Sequence, residues 1–219
     1  MTRLHIFDMD GTLLRGAASV ELSRHLGTFE TADRIEQAWL GGEISDVGFW
    51  DAMLPLWIDA SEAQIDEAFA AAAWIGGVRD VFDDINGRGE HIAVISQSPH
   101  FFVRRLEGWG AHHTFGSLVA PGRPTTADSL LTLQDKVDIS RRLLGELMLA
   151  QADCVAYGDS TSDLLLFDQL PFSVGVNCTT ALRQRAAVCY EGDDLREAYA
   201  LGRALLEAYM SPSPRESAK

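Results

Sequence analysis

The chain has 219 residues, 47% of them hydrophobic, and its 18 Lys and Arg against 32 Asp and Glu leave a formal charge of −14. That is enough apolar chain to bury a core without disulfide or metal staples, and it excludes disorder as the dominant state. An acidic surface repels phosphodiester backbones and anionic membranes, and no basic patch interrupts it, so neither nucleic acid nor a membrane is expected as a partner. Cys154, Cys178 and Cys189 are too few and too scattered for a disulfide framework or a zinc cluster, and an odd count fits a reducing compartment. Met1 to Leu4 run directly into an apolar stretch broken by Asp8 and Asp10, which is no signal-peptide core, and no apolar run approaches the ~20 residues of a membrane span. A cytoplasmic protein is expected.

Leu4 to Phe7 is a short strand that stops at Asp8-Met9-Asp10-Gly11-Thr12. From about Val20 to Ala73 apolar residues recur at helical spacing, and breaks at Gly27, Gly41-Gly42 and Ser61 divide the segment into four helices. The last begins at a capping box, Ser61 with Gln64. Beyond Gly76-Gly77 strands and helices alternate. The expected order is a helix from Val78 to Asn86, a buried strand from His91 to Ile95, a helix from Phe101 to Trp109 and a short strand over Leu118 to Ala120. A helix from Lys136 to Leu149, a strand over Cys154 to Tyr157, a helix from Leu164 to Gln169, a strand from Phe172 to Val176 and a helix from Leu195 to Met210 follow.

Such alternation predicts an α/β fold, a parallel sheet with helices on both faces. Residues 1–14 and 76–211 would form that core, 15–75 an inserted helical bundle placed to act as a lid, and 212–219 a flexible polar tail.

Three strand ends carry polar residues. Asp8 and Asp10, followed by Gly11, sit where open α/β sheets bind ligands, although an Asp-rich turn also simply caps helices. Asp159 and Asp163 follow the strand ending at Tyr157, and in a parallel sheet they open at the same edge; Asp163 also suits the cap of the next helix. Four carboxylates converging there repel one another unless a cation compensates, and oxygen donors suit Mg²⁺. Ser96 ends a third strand. Lys136, the only Lys before the last residue, opens a helix where an anion is better placed than a cation, unless it serves an anion beyond the terminus or is merely solvated.

In order, strand-Asp8-x-Asp10-Gly-Thr, strand-Ser96, helix-Lys136 and strand-Gly-Asp159-x-x-x-Asp163 resemble the four motifs of the haloacid dehalogenase-like (HAD) hydrolase superfamily. The insert resembles the C1 type of helical cap, and the later motifs are similar to the phosphoserine phosphatase-like branch. The resemblance implies a Rossmann-like core and a Mg²⁺-dependent phosphatase acting on a small-molecule phosphomonoester. Asp8 would be the nucleophile that forms an aspartyl-phosphate, and Asp10 the general acid and then base. Mg²⁺ would be held by Asp8, Asp159 and the backbone carbonyl of Asp10, with Asp163 orienting the metal's shell and Lys136. Ser96, Lys136, Gln97 and the amides near Met9 would bind the phosphoryl group. A carboxylate at Asp10 separates phosphomonoester hydrolysis from the family's dehalogenases and transport ATPases. A phosphotransferase or mutase shares the motif, and a catalytically silent binding protein is the remaining alternative. A monomer or homodimer is expected.

The chain departs from phosphoserine phosphatases at three points. Gln97 and Ser98 replace a pair of glycines, Ser162 stands where Asn is usual, and the acid expected to hold the substrate ammonium falls on Ala17. Glu21 is the nearest substitute. In the insert, Trp39, Trp50, Met53 and Trp57 are candidates to face an organic leaving group, and Arg15 and Arg34 to bind a substrate carboxylate. The departures put L-phosphoserine itself in doubt as the substrate.

Overall fold

The computed structural model describes residues 2–210. The expected tail, 212–219, lies outside them. The centre is a six-stranded parallel sheet in the order β3-β2-β1-β4-β5-β6, comprising β1 (Leu4–Phe7), β2 (His91–Pro99), β3 (His113–Ser117), β4 (Cys154–Gly158), β5 (Ser173–Val176) and β6 (Val188–Tyr190). β1 is buried along its length and lies between β2 and β4, with Phe7 beside Val94 on one side and Tyr157 on the other. The two-residue period of a strand splits its side chains: Leu4 and Ile6 join one apolar cluster with Leu143 and Phe167, while Phe7 joins the other with Phe82 and Leu195. An α/β sheet covered on both faces follows.

Between β1 and β2 the chain forms α1 (Ala18–His25), α2 (Phe29–Leu40), α3 (Asp46–Met53), α4 (Glu62–Ala71) and α5 (Val78–Gly87). The first four match the four expected helices, and Ser61 and Gln64 make the reciprocal capping box. Their packing core includes Leu22, Phe49, Met53, Trp57 and Phe69 and is continuous with the core beneath the sheet. The buried Ser23 hydroxyl sits inside it, accepting a 2.9 Å bond from Trp57 Nε1. Entry to and exit from these helices run side by side: Arg15 N–H donates to Ala73 O and Ile75 N–H to Leu13 O, both at 2.9 Å.

α6 (His100–Val103), α7 (Leu133–Glu146), α8 (Leu164–Phe167), α9 (Thr180–Arg183) and α10 (Leu195–Met210) complete the fold. The sequence misplaces one strand. Leu118 to Ala120 is not β-structure; Leu118 is 72% exposed, and β3 lies upstream over polar residues, with Thr114 and Phe115 paired to Val94 and Ile95. An edge strand has a neighbour on one side only, so it need not be apolar throughout. β6 and α9 carry too few residues for a periodic signal. The expected helix at Phe101–Trp109 is instead α6 followed by a tighter 3₁₀ segment, Arg104–Trp109, and the expected Leu164–Gln169 helix keeps only its first turn. Among the described residues no helix is long and apolar enough to cross a membrane.

Candidate active site

All strands being parallel, the ends of β1, β2 and β4 open at one edge. The chain builds β2 and β3 on one side of β1 and β4 to β6 on the other, so the strand order reverses between β1 and β4. Such a switch point leaves a crevice beyond the strand ends. Asp8 stands at the end of β1, Asp159 at the end of β4, and Asp8 N–H donates to Tyr157 O across the gap at 2.9 Å.

Two glycines let the acids converge. Gly11, in the turn after β1, has φ +76, and a Cβ there would lie 2.2 Å from Asp159 Oδ2. At Gly158 a Cβ would fall 2.4 Å from the Asp163 carboxyl carbon. Any side chain at either position would displace an acid. Oxygens of Asp8, Asp159 and Asp163 consequently come within 4.8 Å of one another.

Lys136 lies beneath them, 1% exposed in the first turn of α7, whose N-terminus is closed by a Thr132–Asp135 capping box. Its Nζ donates to Asp8 Oδ1 at 2.8 Å, to Asp163 Oδ1 at 2.7 Å and to Ser162 Oγ at 3.2 Å. The second Asp163 oxygen accepts the Asp159 N–H at 3.2 Å. Burial opposes the charge on Lys136, but Asp163 and Asp8 outweigh it and raise the amine's pKa. Burial pushes Asp8 well above the usual carboxylate range, with Lys136 pulling it back. Asp159 is pushed up to about 7 by burial and by the charge of Asp163.

One lysine does not balance three carboxylates, and Asp159 Oδ1 is buried without a hydrogen-bond partner. An orphaned anionic oxygen beside two further carboxylates fits a hard divalent cation. Asp10 stands apart from this cluster. Its carboxylate accepts the Ala18 N–H at 3.1 Å and the Ser98 hydroxyl, and burial pushes it up to about 6 although both bonds lower it. Its side chain is held by these two bonds and is not part of the Asp8, Asp159 and Asp163 cluster.

Ser98 is a site residue that sequence reading overlooked. β2 advances from Ile95 to Pro99 while β3 advances only from Phe115 to Ser117, an irregularity that swings the Ser96–Ser98 segment toward the crevice. Ser96 Oγ accepts the Ser98 N–H at 3.1 Å, and Gln97 Nε2 is tied to Leu131 O at 3.0 Å. The only signal was the second hydroxyl in Ser96-Gln97-Ser98.

Over this floor lies a cleft of about 690 Å³, closed on its far side by α1, α2 and α3. Trp39 and Trp50 line it, and so do Ser19 and Glu36, which were not anticipated. Glu36 is half-buried and accepts from Ser19 Oγ at 3.3 Å; burial and the nearby Asp10 charge raise its pKa.

Several expected residues lie elsewhere. Met53 and Trp57 are packed inside the helical bundle, 0% and 2% exposed, because apolar burial there outcompetes exposure to the cleft. Glu21 pairs with Arg24 and accepts the Ala73 N–H, Arg15 pairs with Asp193, and Arg34 folds onto Glu30 O and Thr31 of its own helix. None of these five lines the cleft. Met9 is fully buried, and its carbonyl accepts the N–H groups of Leu13 and Leu14.

Residues 6–168 match the model of the haloacid dehalogenase-like hydrolases. The chain belongs to this family. It is 23% identical over 200 residues to a phosphoserine phosphatase of Methanocaldococcus jannaschii, covering 89% of this chain and 95% of that one. A phosphoserine phosphatase of Wolinella succinogenes is also 23% identical, covering 89% and 97%. Among solved structures, a substrate-bound phosphoserine phosphatase superposes with a TM-score of 0.74 at 22% identity, covering 91% of this chain and 98% of the other. At that identity the superposition shows the shared fold. The chain is similar to the phosphoserine phosphatase-like branch of its family.

Proposed function

We propose that this HAD-family phosphatase hydrolyses a small-molecule phosphomonoester through an aspartyl-phosphate on Asp8, with Mg²⁺ as its cofactor. The observation that carries the reading is the pairing of two acids held in different ways. Asp8 is buried against Lys136, while Asp10 is held beside it by Ala18 N–H and Ser98 Oγ. Different environments give two carboxylates different work.

Lys136 supports ionisation of the Asp8 carboxylate against its burial, so an Asp8 oxygen can attack phosphorus as the bond from phosphorus to the ester oxygen breaks. Asp10, raised to about 6, gives its proton to the departing alkoxide. The Asp10 carboxylate then takes a proton from water, whose oxygen attacks phosphorus. The bond to Asp8 breaks, restoring its carboxylate. Ser96 and Lys136, with Gln97 and the backbone near Met9, would hold the phosphoryl oxygens. Asp8, Asp159 and the carbonyl of Asp10 would hold the metal, with Asp163 fixing Lys136 and the metal's surroundings. When bound, Mg²⁺ would offset repulsion between the nucleophile and the incoming phosphate dianion.

Residues 15–75 would serve as the cap, limiting access to small esters and excluding bulk water. Release of p-nitrophenol from p-nitrophenyl phosphate, measured with Mg²⁺ and again with EDTA, tests the reading. Metal-dependent turnover that disappears in Asp8→Asn is expected; turnover indifferent to both would overturn it.

A further inference from the structure

We propose that the substrate's leaving group is cationic, an ammonium or quaternary ammonium on a short alcohol, held by Glu36 against the indole walls of Trp39 and Trp50. The proposal rests on the phosphatase reading and concerns the part of the cleft that the phosphoryl group does not fill.

That part is formed by α1, α2 and α3, and its charge is one-sided. Among the described residues, no Lys, Arg or His lines the cleft. Among the described residues Glu36 has no ion-pair partner, and its hydrogen-bonding partner is the neutral hydroxyl of Ser19. The charges bearing on it are those of Asp10 and Asp33, both negative. A half-buried carboxylate among like charges lacks a counter-ion that a ligand can supply.

The aromatic wall favours the same sign. Indole faces attract cations, and most strongly where water is displaced. Trp39 Nε1 donates to Asp46 Oδ1 at 2.7 Å, which fixes the ring's orientation and places a second carboxylate at its edge. Phe49 meets Trp50 edge-on, with centroids 4.8 Å apart, and this holds the second wall.

A substrate carboxylate would fare poorly here. The insert's three arginines are held outside the cleft, Arg15 by Asp193, Arg24 by Glu21 and Arg34 by α2 itself. Phosphorylated amino alcohols therefore fit, and O-phosphoserine, glycerol phosphate and sugar phosphates fit less well.

The test compares two esters of similar shape, phosphocholine and its uncharged isostere 3,3-dimethylbutyl phosphate, with phosphoethanolamine and O-phospho-L-serine alongside. Phosphate release by the full chain in Mg²⁺ is read as kcat/KM. We expect phosphocholine or phosphoethanolamine to exceed the neutral ester by roughly tenfold or more. In Glu36→Gln this charged-to-neutral ratio should fall several-fold, chiefly through KM, while Glu30→Gln on the exposed face of the same helix should keep it. A ratio near one in the unmodified chain, a ratio unchanged by Glu36→Gln, or faster turnover of O-phospho-L-serine than of either amino alcohol ester would each overturn the proposal. Those failures would come with p-nitrophenyl phosphate still hydrolysed. No release from p-nitrophenyl phosphate or any ester would overturn the phosphatase reading as well.

Discussion

Lys136 Nζ lies 2.8 Å from Asp8 Oδ1 and 2.7 Å from Asp163 Oδ1, and all three side chains are nearly inaccessible to water. Removing one member of such a buried ion cluster leaves the others unpaired, at a cost of about 3–5 kcal/mol. Lys136→Met should lower stability by about that amount in urea unfolding. Phosphatase activity should fall by at least about a thousandfold, since in the proposed mechanism the same amine would steady both the Asp8 nucleophile and the phosphoryl group. An active, equally stable variant would show that the contact does neither.

Asp10→Asn keeps the shape of the side chain but cannot take a proton from water. With an activated ester such as p-nitrophenyl phosphate, whose leaving group needs little protonation, a burst of about one nitrophenolate per enzyme should precede slow turnover, with kcat reduced by about a hundredfold or more. Rapid-quench measurement would resolve the burst, and linear release at the normal rate would contradict the assigned role.

Ser98 and Ala18 both bond to the Asp10 carboxylate and lower its pKa, which burial has raised to about 6. Ser98→Ala removes one of these bonds, so the pKa should rise further. If protonated Asp10 is required for the first displacement, the alkaline limb of kcat/KM should move to higher pH in the variant. The pH profile for an alkyl phosphate reads this directly, and a shift to lower pH would contradict it.

At Gly11 a methyl group would meet Asp159 Oδ2 at 2.2 Å, and the backbone φ of +76 already disfavours a side chain. Gly11→Ala should therefore weaken the acid cluster more than the fold. The Mg²⁺ concentration for half-maximal activity should rise by roughly tenfold or more, with circular dichroism little changed. An unaltered Mg²⁺ requirement would mean that Asp159 takes no part in metal binding.

Glu90, far from the cleft, is 4% exposed and bonds to His5 Nε2 at 3.0 Å and to Arg203 at 2.8 Å. Burial alone would raise its pKa, but these partners depress it to about 2, below the usual 4.5. A carboxyl depressed in the folded state stabilises the fold above its unfolded pKa, and that stabilisation fades as pH falls through the folded value. The stability difference between the unmodified chain and Glu90→Gln should thus be constant above about pH 5 and shrink from there toward pH 2. Denaturant unfolding across that range measures it.

The convergence of acids on the cleft floor was legible because its signals are local. Asp8 and Asp10, like Asp159 and Asp163, lie within a few residues of the end of an apolar run, and parallel strands bring such ends to one edge whatever the details of packing. Ser98 was harder to see, because its approach to Asp10 depends on the irregular pairing of β2 with β3. β3 itself was misplaced, since an edge strand can be built from His, Thr, Gly and Ser without announcing itself through hydropathy.

The inserted helices divide the same way. The four helices and the Ser61–Gln64 box follow from spacing and capping chemistry within a few neighbouring residues. Which face of each helix turns inward depends on what the other helices bury, and no local pattern encodes that. Trp57 and Met53 went to the bundle core, Arg15 to Asp193, Arg34 back onto its own helix, and Glu36 to the cleft. The formal charge of −14 argued against anionic polymers from composition alone. Only the folded arrangement, with Lys136 buried beneath three carboxylates and Asp159 left with an orphaned oxygen, turns part of that negative charge into a site suited to a cation and, through it, to phosphate.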